Sequence, residues 1–203
     1  MRGGRIVVAA LTVMLLSGGP AAADWTFRLH GALVEASADT GDDAADGAPE
    51  SSYRFGTSGG LGIGFEILPS RWVGIEFSTL LAGMSVEVAT SDTGTSISED
   101  LAMMPFTLGA PIHFIPGERP VDLYLAPTLN YVTYFNLDLR TGDDYDIDVD
   151  LGSDRAPGLT LGLEAPGNRK WAFSASARYL RTSREDVDIN PYIYSLGFAV
   201  HFD

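Results

Sequence analysis

Large apolar residues alternate with smaller or polar residues along most of the chain after residue 24. In the C-terminal segment every second position holds a large one: Tyr192, Tyr194, Leu196, Phe198, Val200 and Phe202. Successive side chains of a β-strand point to opposite faces. The segment is therefore predicted to be a strand with one bulky apolar face and one small, more polar face.

The same alternation predicts seven earlier strands, at residues 25–36, 56–67, 72–82, 101–114, 121–135, 157–165 and 171–180. Short turns that contain Pro connect some neighbours, at 68–71, 116–120 and 166–170. Long polar segments connect the others, at 37–54, 83–100, 136–156 and 181–190. Because no segment has helical periodicity, the sequence predicts an all-β chain of eight antiparallel strands.

Two kinds of barrel fit this alternation. In a secreted lipocalin-like barrel the bulky apolar face would line a ligand cavity, whereas in a transmembrane barrel it would face lipid. Charged residues such as Arg28, Glu76 and Arg178 lie on the face of small residues. A strand of about 12 residues, tilted by about 40°, spans the apolar band of a membrane. These features favour an eight-stranded antiparallel transmembrane β-barrel with short periplasmic turns and long acidic extracellular loops.

Aromatic residues mark one end of this barrel. Trp25, Trp72 and Trp171 each begin a strand that starts at the short-turn end, and Phe202 ends the last strand there. Aromatic side chains are enriched where a membrane protein crosses the interface between lipid and water. We expect these four residues to form an interfacial belt at the periplasmic end, which a soluble barrel would not need.

The first 23 residues have the pattern of a secretory signal. Arg2 and Arg5 precede an apolar run at 6–16 that is too short to span a bilayer. The run is followed by Ala21, Ala22 and Ala23, which are typical of a cleavage site. We expect residues 1–23 to be removed as a signal peptide and residues 24–203 to form one barrel domain.

Charge and composition exclude several functions. The formal net charge is −14 at pH 7 and cysteine is absent. The negative charge disfavours nucleic-acid binding, and the lack of cysteine excludes disulfides and thiolate chemistry. Most of the 27 acidic residues lie in the predicted long loops, where they would face anionic lipopolysaccharide. We expect divalent cations or salt to limit that repulsion, although a solvated acidic surface is an alternative.

Five segments carry a resemblance to a known family: 25–31 (WTFRLHG), 72–76 (WVGIE), 104–108 (MPFTL), 123–131 (LYLAPTLNY) and 187–197 (VDINPYIYSLG). In this order and at this spacing they resemble the OmpW family of small outer-membrane barrels. The resemblance implies a monomeric eight-stranded barrel of the bacterial outer membrane that admits small hydrophobic molecules. We expect the assembly machinery of that membrane to recognise the C-terminal strand.

The inward-facing positions divide by depth. Ionisable residues are predicted to fill mainly the periplasmic half as a hydrogen-bonded plug, because buried charges persist only when paired: Arg28, His30, Glu66, Glu76, His113, Glu164, Arg178 and His201. Apolar residues nearer the outside would offer hydrophobic solutes a drier path: Val34, Leu80, Met103, Val132, Leu180 and Ile193. Ordinary packing of a closed barrel is an alternative explanation for this apolar lining.

Prolines occur on two neighbouring strands. Pro105 and Pro111 lie on the strand 101–114, and Pro127 lies on the strand 121–135. Each lacks an amide hydrogen for the ladder, so the two strands could form a weak seam for lateral release of a solute. Bulges or a barrel corner are the alternative interpretation.

Neither a catalytic nor a metal site is predicted. The histidines lie at the periplasmic end, whereas lipid-modifying barrel enzymes need their catalytic groups near the outer leaflet. Residues 146–150 (DIDVD) resemble a calcium loop, but Leu151 and Pro157 replace the glycine and glutamate that it requires. This segment is better explained as a strand extension with an acidic face. We expect no enzyme activity, no cofactor and no metal.

Two functions remain open at this point. The first is passive entry of small hydrophobic molecules above a polar plug, with possible lateral release into the bilayer. The second is a closed structural or surface-interaction barrel that acts through its acidic extracellular loops. The expected partners are outer-membrane lipid, lipopolysaccharide and, for the first function, small hydrophobic solutes.

Overall fold

The structure, a computed structural model, describes residues 24–40, 51–90, 95–114, 121–136, 153–167, 170–182 and 187–202. The predicted signal peptide, the segment 146–150 and most of the loop 136–156 lie outside the described residues. Ten strand segments occur within them: β1 (Asp24–Thr40), β2 (Ser51–Phe55), β3 (Ser58–Ser70), β4 (Val73–Thr90), β5 (Thr95–Gly109), β6 (Ile112–His113), β7 (Asp122–Asn136), β8 (Ser153–Pro166), β9 (Trp171–Leu180) and β10 (Val187–Phe202). No helix in the described part of the chain is long and apolar enough to cross a membrane.

These segments make eight barrel strands. β2 and β3 both pair with β4, and β5 and β6 both pair with β4 and β7, so each of these two pairs is one interrupted strand. Every pairing is antiparallel between neighbours along the chain, and β1 pairs with β10 from Trp25 opposite Phe202 to Thr40 opposite Val187. This last pairing closes the sheet. The predicted eight-stranded antiparallel barrel is confirmed.

Several strands are longer than the sequence predicted. The segment 83–100, predicted as a loop, is mostly a hairpin in which β4 and β5 pair as far as Thr90 opposite Thr95. β1 likewise extends to Thr40, β2 covers the end of the predicted loop 37–54, and β8 and β10 begin at Ser153 and Val187. The prediction was wrong because it took polarity to indicate a loop. A hairpin that extends beyond the lipid meets water on both faces, so its strands can be polar.

The two faces of the wall differ in size and polarity. Outward positions carry large apolar side chains, of which Leu61 and Leu196 are each 72% exposed. Inward positions carry alanine, glycine, threonine and the ionisable residues, among which Glu66 and Thr26 are almost fully buried. In water this arrangement would leave most of the apolar surface exposed, which soluble monomers avoid. The wall is therefore built to face lipid.

Aromatic residues lie on the outer wall at two heights. Trp25, Trp72, Trp171 and Phe202 lie at the short-turn end, where the Trp25 ring centroid is 5.4 Å from those of Phe65 and Phe202. A second set lies nearer the long-loop end: Tyr131, Tyr179, Tyr192 and Tyr194. With about 3.3 Å per residue and a tilt of about 40°, the two sets are separated by about 20–25 Å, close to the height of an apolar membrane band.

Gly197 permits the close approach of β10 to β1 at the point where the barrel closes. A Cβ atom there would lie 2.6 Å from Cα of His30 and against the carbonyl oxygen of Leu29. We predict that Gly197→Ala destabilises the folded barrel by about 1–3 kcal/mol, since neither backbone atom can move without opening this pairing. Urea unfolding in lipid vesicles, followed by tryptophan fluorescence, measures the change.

Gly31→Ala is the matched control. Gly31 lies on the facing strand one position along, opposite Leu196, and an added Cβ would meet nothing within 4 Å. This variant is expected to keep the original free energy of unfolding. Equal stability of the two variants would show that the contact at Gly197 does not limit closure.

Candidate functional site

Arg28 is the centre of an ionic network inside the barrel near the short-turn end. Its Nε donates to Oε1 of Glu164 at 2.6 Å, and its Nη2 donates to Oε2 of Glu66 at 2.5 Å. All three side chains are buried, with exposed fractions of 6% or less. One guanidinium from β1 thus neutralises carboxylates from β3 and β8, and charge-assisted bonds of this kind are strong.

His113 extends this network to a third carboxylate. Its Nε2 lies 2.8 Å from Oε1 of Glu66, and its Nδ1 lies 2.6 Å from Oδ2 of Asp122. Ionised carboxylates only accept hydrogen bonds, so this geometry suits an imidazolium that donates from both nitrogens. On the other side, Nε2 of His201 lies 3.6 Å from Oε2 of Glu164. We call Arg28, Glu66, His113, Asp122, Glu164 and His201 the turn-end cluster.

Aromatic and glycine residues shape the space around the turn-end cluster. The Arg28 guanidinium carbon lies 5.4 Å from the ring centroid of Tyr124, within the range of a cation–π contact. An added Cβ at Gly162 would overlap the Tyr124 ring, and one at Gly74 would overlap the Glu66 carboxylate. The glycines on the inward face therefore provide the room that these two large side chains occupy.

Arg178 organises a second network, farther from the short turns. Its Nε donates to Thr160 at 2.9 Å and its Nη1 to Thr107 at 2.6 Å. Its Nη2 is within hydrogen-bond distance of Glu76, at 3.0 Å, and of Ser78, at 3.2 Å. Thr107 in turn donates to Oδ1 of Asn130. We call this group the middle cluster: Glu76, Ser78, Thr107, Asn130, Thr160 and Arg178.

The space between the two clusters is small. An enclosed cavity of about 20 Å³ is lined by Arg28, His30, Glu76, Tyr124 and Arg178, among others. A cavity of this size has room for about one water molecule. His30 is half-buried at its edge, where Gly62 on β3 leaves space for the imidazole ring. Arg28 of the turn-end cluster and Arg178 of the middle cluster thus both border this small cavity.

The six residues predicted as a ligand path come together in the half of the barrel near the long loops. Val34, Leu80, Met103, Val132, Leu180 and Ile193 have exposed fractions of 0–3% and form one packed cluster with Ala32, Ala36, Ala82, Tyr134 and Ala156. We call these eleven residues the apolar cluster. All eleven side chains are buried.

The three prolines of the predicted seam are placed differently from the expectation. Pairing of β5 and β7 is continuous from Leu101 to Gly109, and Ala110 N donates to the carbonyl oxygen of Pro127 at 3.1 Å. The ladder with β7 lacks the two pairs between Gly109 and Ile112, and this bond bridges the interval. Pro127 is outward-facing, and Pro111 is buried at the break between β5 and β6, which agrees with the alternative of an irregular strand.

Another gap in the ladder lies on the other side of β5. Pairing of β4 and β5 stops at Thr79 opposite Phe106 and resumes at Ala82 opposite Met103. Pro105 lies within this interval and lacks an amide hydrogen. The interruption indicates that an amide hydrogen at position 105 would have pointed towards β4. The sequence could not show this, because the direction of an amide depends on register and not on composition.

Several polar residues of the two clusters were not predicted. Tyr124, Asn130, Ser78, Thr107 and Thr160 lie at inward positions of the alternating pattern, but the predicted plug contains only ionisable residues. Neutral inward side chains that can accept from a buried arginine are the signal that would have found them. Asp122 lies next to a turn and gave no comparable signal. Among the described residues, no group of three or more His, Asp or Glu side chains is arranged to hold a metal ion.

Comparison with known proteins shows the family to which this barrel belongs. Residues 8–202 match the family described as the outer membrane protein beta-barrel domain. The chain belongs to this family. It is therefore a bacterial outer-membrane protein, with short turns in the periplasm and long loops outside, as the sequence predicted. A search of curated proteins gave no match.

Solved structures share this fold at low sequence identity. OprG from Pseudomonas aeruginosa is 18% identical with a TM-score of 0.71, over 91% of this chain and 98% of that one. The outer membrane protein W of E. coli is 20% identical with a TM-score of 0.57, over 91% and 100% of the two chains. AlkL, determined in DMPC bilayers, is 17% identical with a TM-score of 0.62, over 92% and 93%. The resemblance to the OmpW family is thus confirmed in the fold.

Removing Arg28 tests the turn-end cluster. Arg28→Met leaves Glu66 and Glu164 buried without their main cation, and we predict a loss of about 3–5 kcal/mol in the free energy of unfolding. Urea titration in lipid vesicles measures the loss. Arg71→Met is the control, because Arg71 is exposed at a turn.

A compensated variant separates charge from packing. Adding Glu66→Gln and Glu164→Gln to Arg28→Met removes the unpaired charges, and most of the lost stability is expected to return. A single Arg28→Met variant as stable as the original protein would contradict the role given to this network.

Proposed function

We propose that this protein mediates passive entry of small hydrophobic molecules through the outer membrane, without catalysis. The observation that carries the proposal is the division of the lumen. The extracellular half contains the apolar cluster, and the half below it contains the ion pairs of the middle and turn-end clusters. An apolar solute would gain by entering the first region and would have to displace paired charges to enter the second.

The ionic clusters act as a plug in this proposal. Separating Arg28 from its two carboxylates, or Arg178 from Glu76, would leave buried charges unpaired, which costs several kcal/mol. Water-filled conduction along the barrel axis is therefore disfavoured. A solute that reaches the apolar cluster would leave through the wall and not through the periplasmic end.

The ladder gap beside Pro105 is the best position for that exit. Leu80 belongs to the apolar cluster and lies within the unpaired interval of β4, and Met103 borders it on β5. On the outer wall the same interval presents Leu81, which faces lipid. Two consecutive pairs of the ladder are missing here, so β4 and β5 are expected to begin to separate at this point.

A reversible cross-link tests the exit, because the chain has no cysteine of its own. Leu81→Cys with Met104→Cys places two cysteines opposite each other across the gap, about 4.5–5.5 Å apart between Cα atoms, which suits a disulfide. We predict that oxidation lowers uptake of a small apolar fluorescent probe by intact cells to the level of cells without the protein. Reduction is expected to restore uptake.

A second pair on the neighbouring strands is the control. Leu61→Cys with Leu81→Cys links β3 to β4, where pairing is uninterrupted, and shares one cysteine with the test pair. Oxidation of this pair is expected to leave uptake unchanged. If both oxidised pairs transport the probe at the full rate, lateral exit between β4 and β5 is rejected.

A second function is favoured by one observation. The apolar cluster is fully packed, with Val132 and Leu180 at 0% exposure, as in a core that never opens. A closed barrel acting through its acidic extracellular loops would have this interior. In that case shortening of 137–154 would remove a surface phenotype, while deletion of the whole protein would leave apolar uptake unchanged.

A further inference from the structure

The outer wall contains a groove that the function above does not use. It has a volume of about 500 Å³ and crosses the outward faces of β1, β3, β4, β5, β7 and β8. Its walls are aromatic and aliphatic, with Phe27 and Phe77 near one end and Phe106 and Tyr131 near the other. Thr79 forms the floor, because it is a small outward residue between Ile63 and Phe106 in the pairing register.

The groove climbs through the membrane. Strands are tilted by about 40° and lie about 4.8 Å apart, so the five steps from β1 to β8 rise by about 15 Å. This rise equals about half of a hydrocarbon core of roughly 30 Å, which is the depth of one leaflet. The groove therefore has the length and slope to hold an acyl chain of the outer leaflet.

Its upper end is cationic. Arg155 lines the groove and lies next to Tyr131 in the register. It precedes Pro166, at the periplasmic end of β8, by about eleven residues, which places it about 28 Å above that end, at the level of the outer headgroups. Its side chain is exposed on the lipid-facing side of the wall.

A second arginine lies beside it. The backbone nitrogen of Arg181 donates to the carbonyl oxygen of Pro157 at 2.9 Å, so Arg181 continues the pairing of β9 with β8. Arg181 is exposed and is diagonal to Arg155, at about 7–8 Å between Cα atoms. Among the residues that the structure describes, no carboxylate forms an ion pair with either guanidinium. Two neighbouring guanidinium groups match the planar, bidentate recognition of a phosphate.

We propose that this groove and the arginine pair form a binding site for lipopolysaccharide, with one acyl chain along Thr79 and a lipid A phosphate between Arg155 and Arg181. Charge complementarity selects this occupant, since the cationic end of the groove lies in the leaflet where lipopolysaccharide presents its phosphates. The site holds a resident lipid of the membrane and is separate from the lumen.

Binding of diphosphorylated lipid A to the full mature chain, folded in zwitterionic detergent, tests the arginine pair. Arg155→Gln with Arg181→Gln is expected to weaken binding about tenfold in calorimetric titration, since each charged hydrogen bond lost contributes to affinity. Arg71→Gln removes an exposed arginine at the opposite end and is expected to bind as the original protein does. Unchanged affinity in the double variant overturns the proposal.

Filling the groove tests the acyl chain separately. Thr79→Phe occupies the floor with an outward side chain and is expected to weaken lipid A binding about fivefold. Ala177→Phe adds the same ring at another exposed small position on β9, between Leu161 and Tyr194 in the register, and is expected to leave affinity unchanged. Equal affinity of these two variants would remove the groove from the site.

Competition identifies the ligand. Inorganic phosphate and phosphatidylglycerol are expected to displace lipid A only at concentrations far above that of lipid A itself. Inorganic phosphate lacks acyl chains, and the phosphodiester of phosphatidylglycerol carries less negative charge than the phosphate monoester of lipid A. Displacement by phosphatidylglycerol at an equal concentration would overturn the assignment to lipopolysaccharide. Displacement by phosphate alone at that concentration would overturn the contribution of the groove.

Discussion

Arg28 and the carboxylates of Glu66 and Glu164 are enclosed by a wall whose other side faces lipid. Neither side of that wall can solvate an unpaired charge, so the ion pairs at 2.5 and 2.6 Å must form whenever the barrel closes. The bond to Glu66 joins the neighbouring strands β1 and β3, and the bond to Glu164 joins β1 to β8 across the lumen. The remaining interior is arranged around it.

Glycine has a structural role in meeting that requirement. An eight-stranded barrel is just wide enough for side chains to fill it. Gly74 and Gly162 leave room for Glu66 and Tyr124, so that large polar side chains reach the axis from only some positions of the inward face. Replacing them by alanine would fill the same space with a methyl group and displace a charged or aromatic neighbour. The buried charges in the lumen therefore depend on the glycines at neighbouring inward positions.

The fold could be predicted from the sequence because its signal is one of alternation, which depends on neighbouring residues only. Alternation predicts that Arg28 and Glu76 point inward. The lengths of the turns predict the end of the barrel at which Trp25 lies. Partners could not be predicted, because they depend on shear and register across the whole barrel. His113 lies between Glu66 and Asp122 for this reason, although nothing local links these three residues. The direction in which an amide hydrogen at position 105 would point likewise depends on register.

Thr79 and Leu80 are adjacent in the chain and point to opposite sides of the wall. Leu80 belongs to the apolar cluster inside, and Thr79 forms the floor of the groove outside, directly beside the unpaired interval of β4 and β5. Separation of these strands would therefore open the lumen next to the groove and not into an arbitrary part of the bilayer. A resident lipid in the groove would pack against Phe106 on β5 and Phe77 on β4 at the same time. Such a lipid would favour the closed pairing, so occupancy of the outer groove and opening of the wall are expected to oppose each other, since a ligand stabilises the state that it binds.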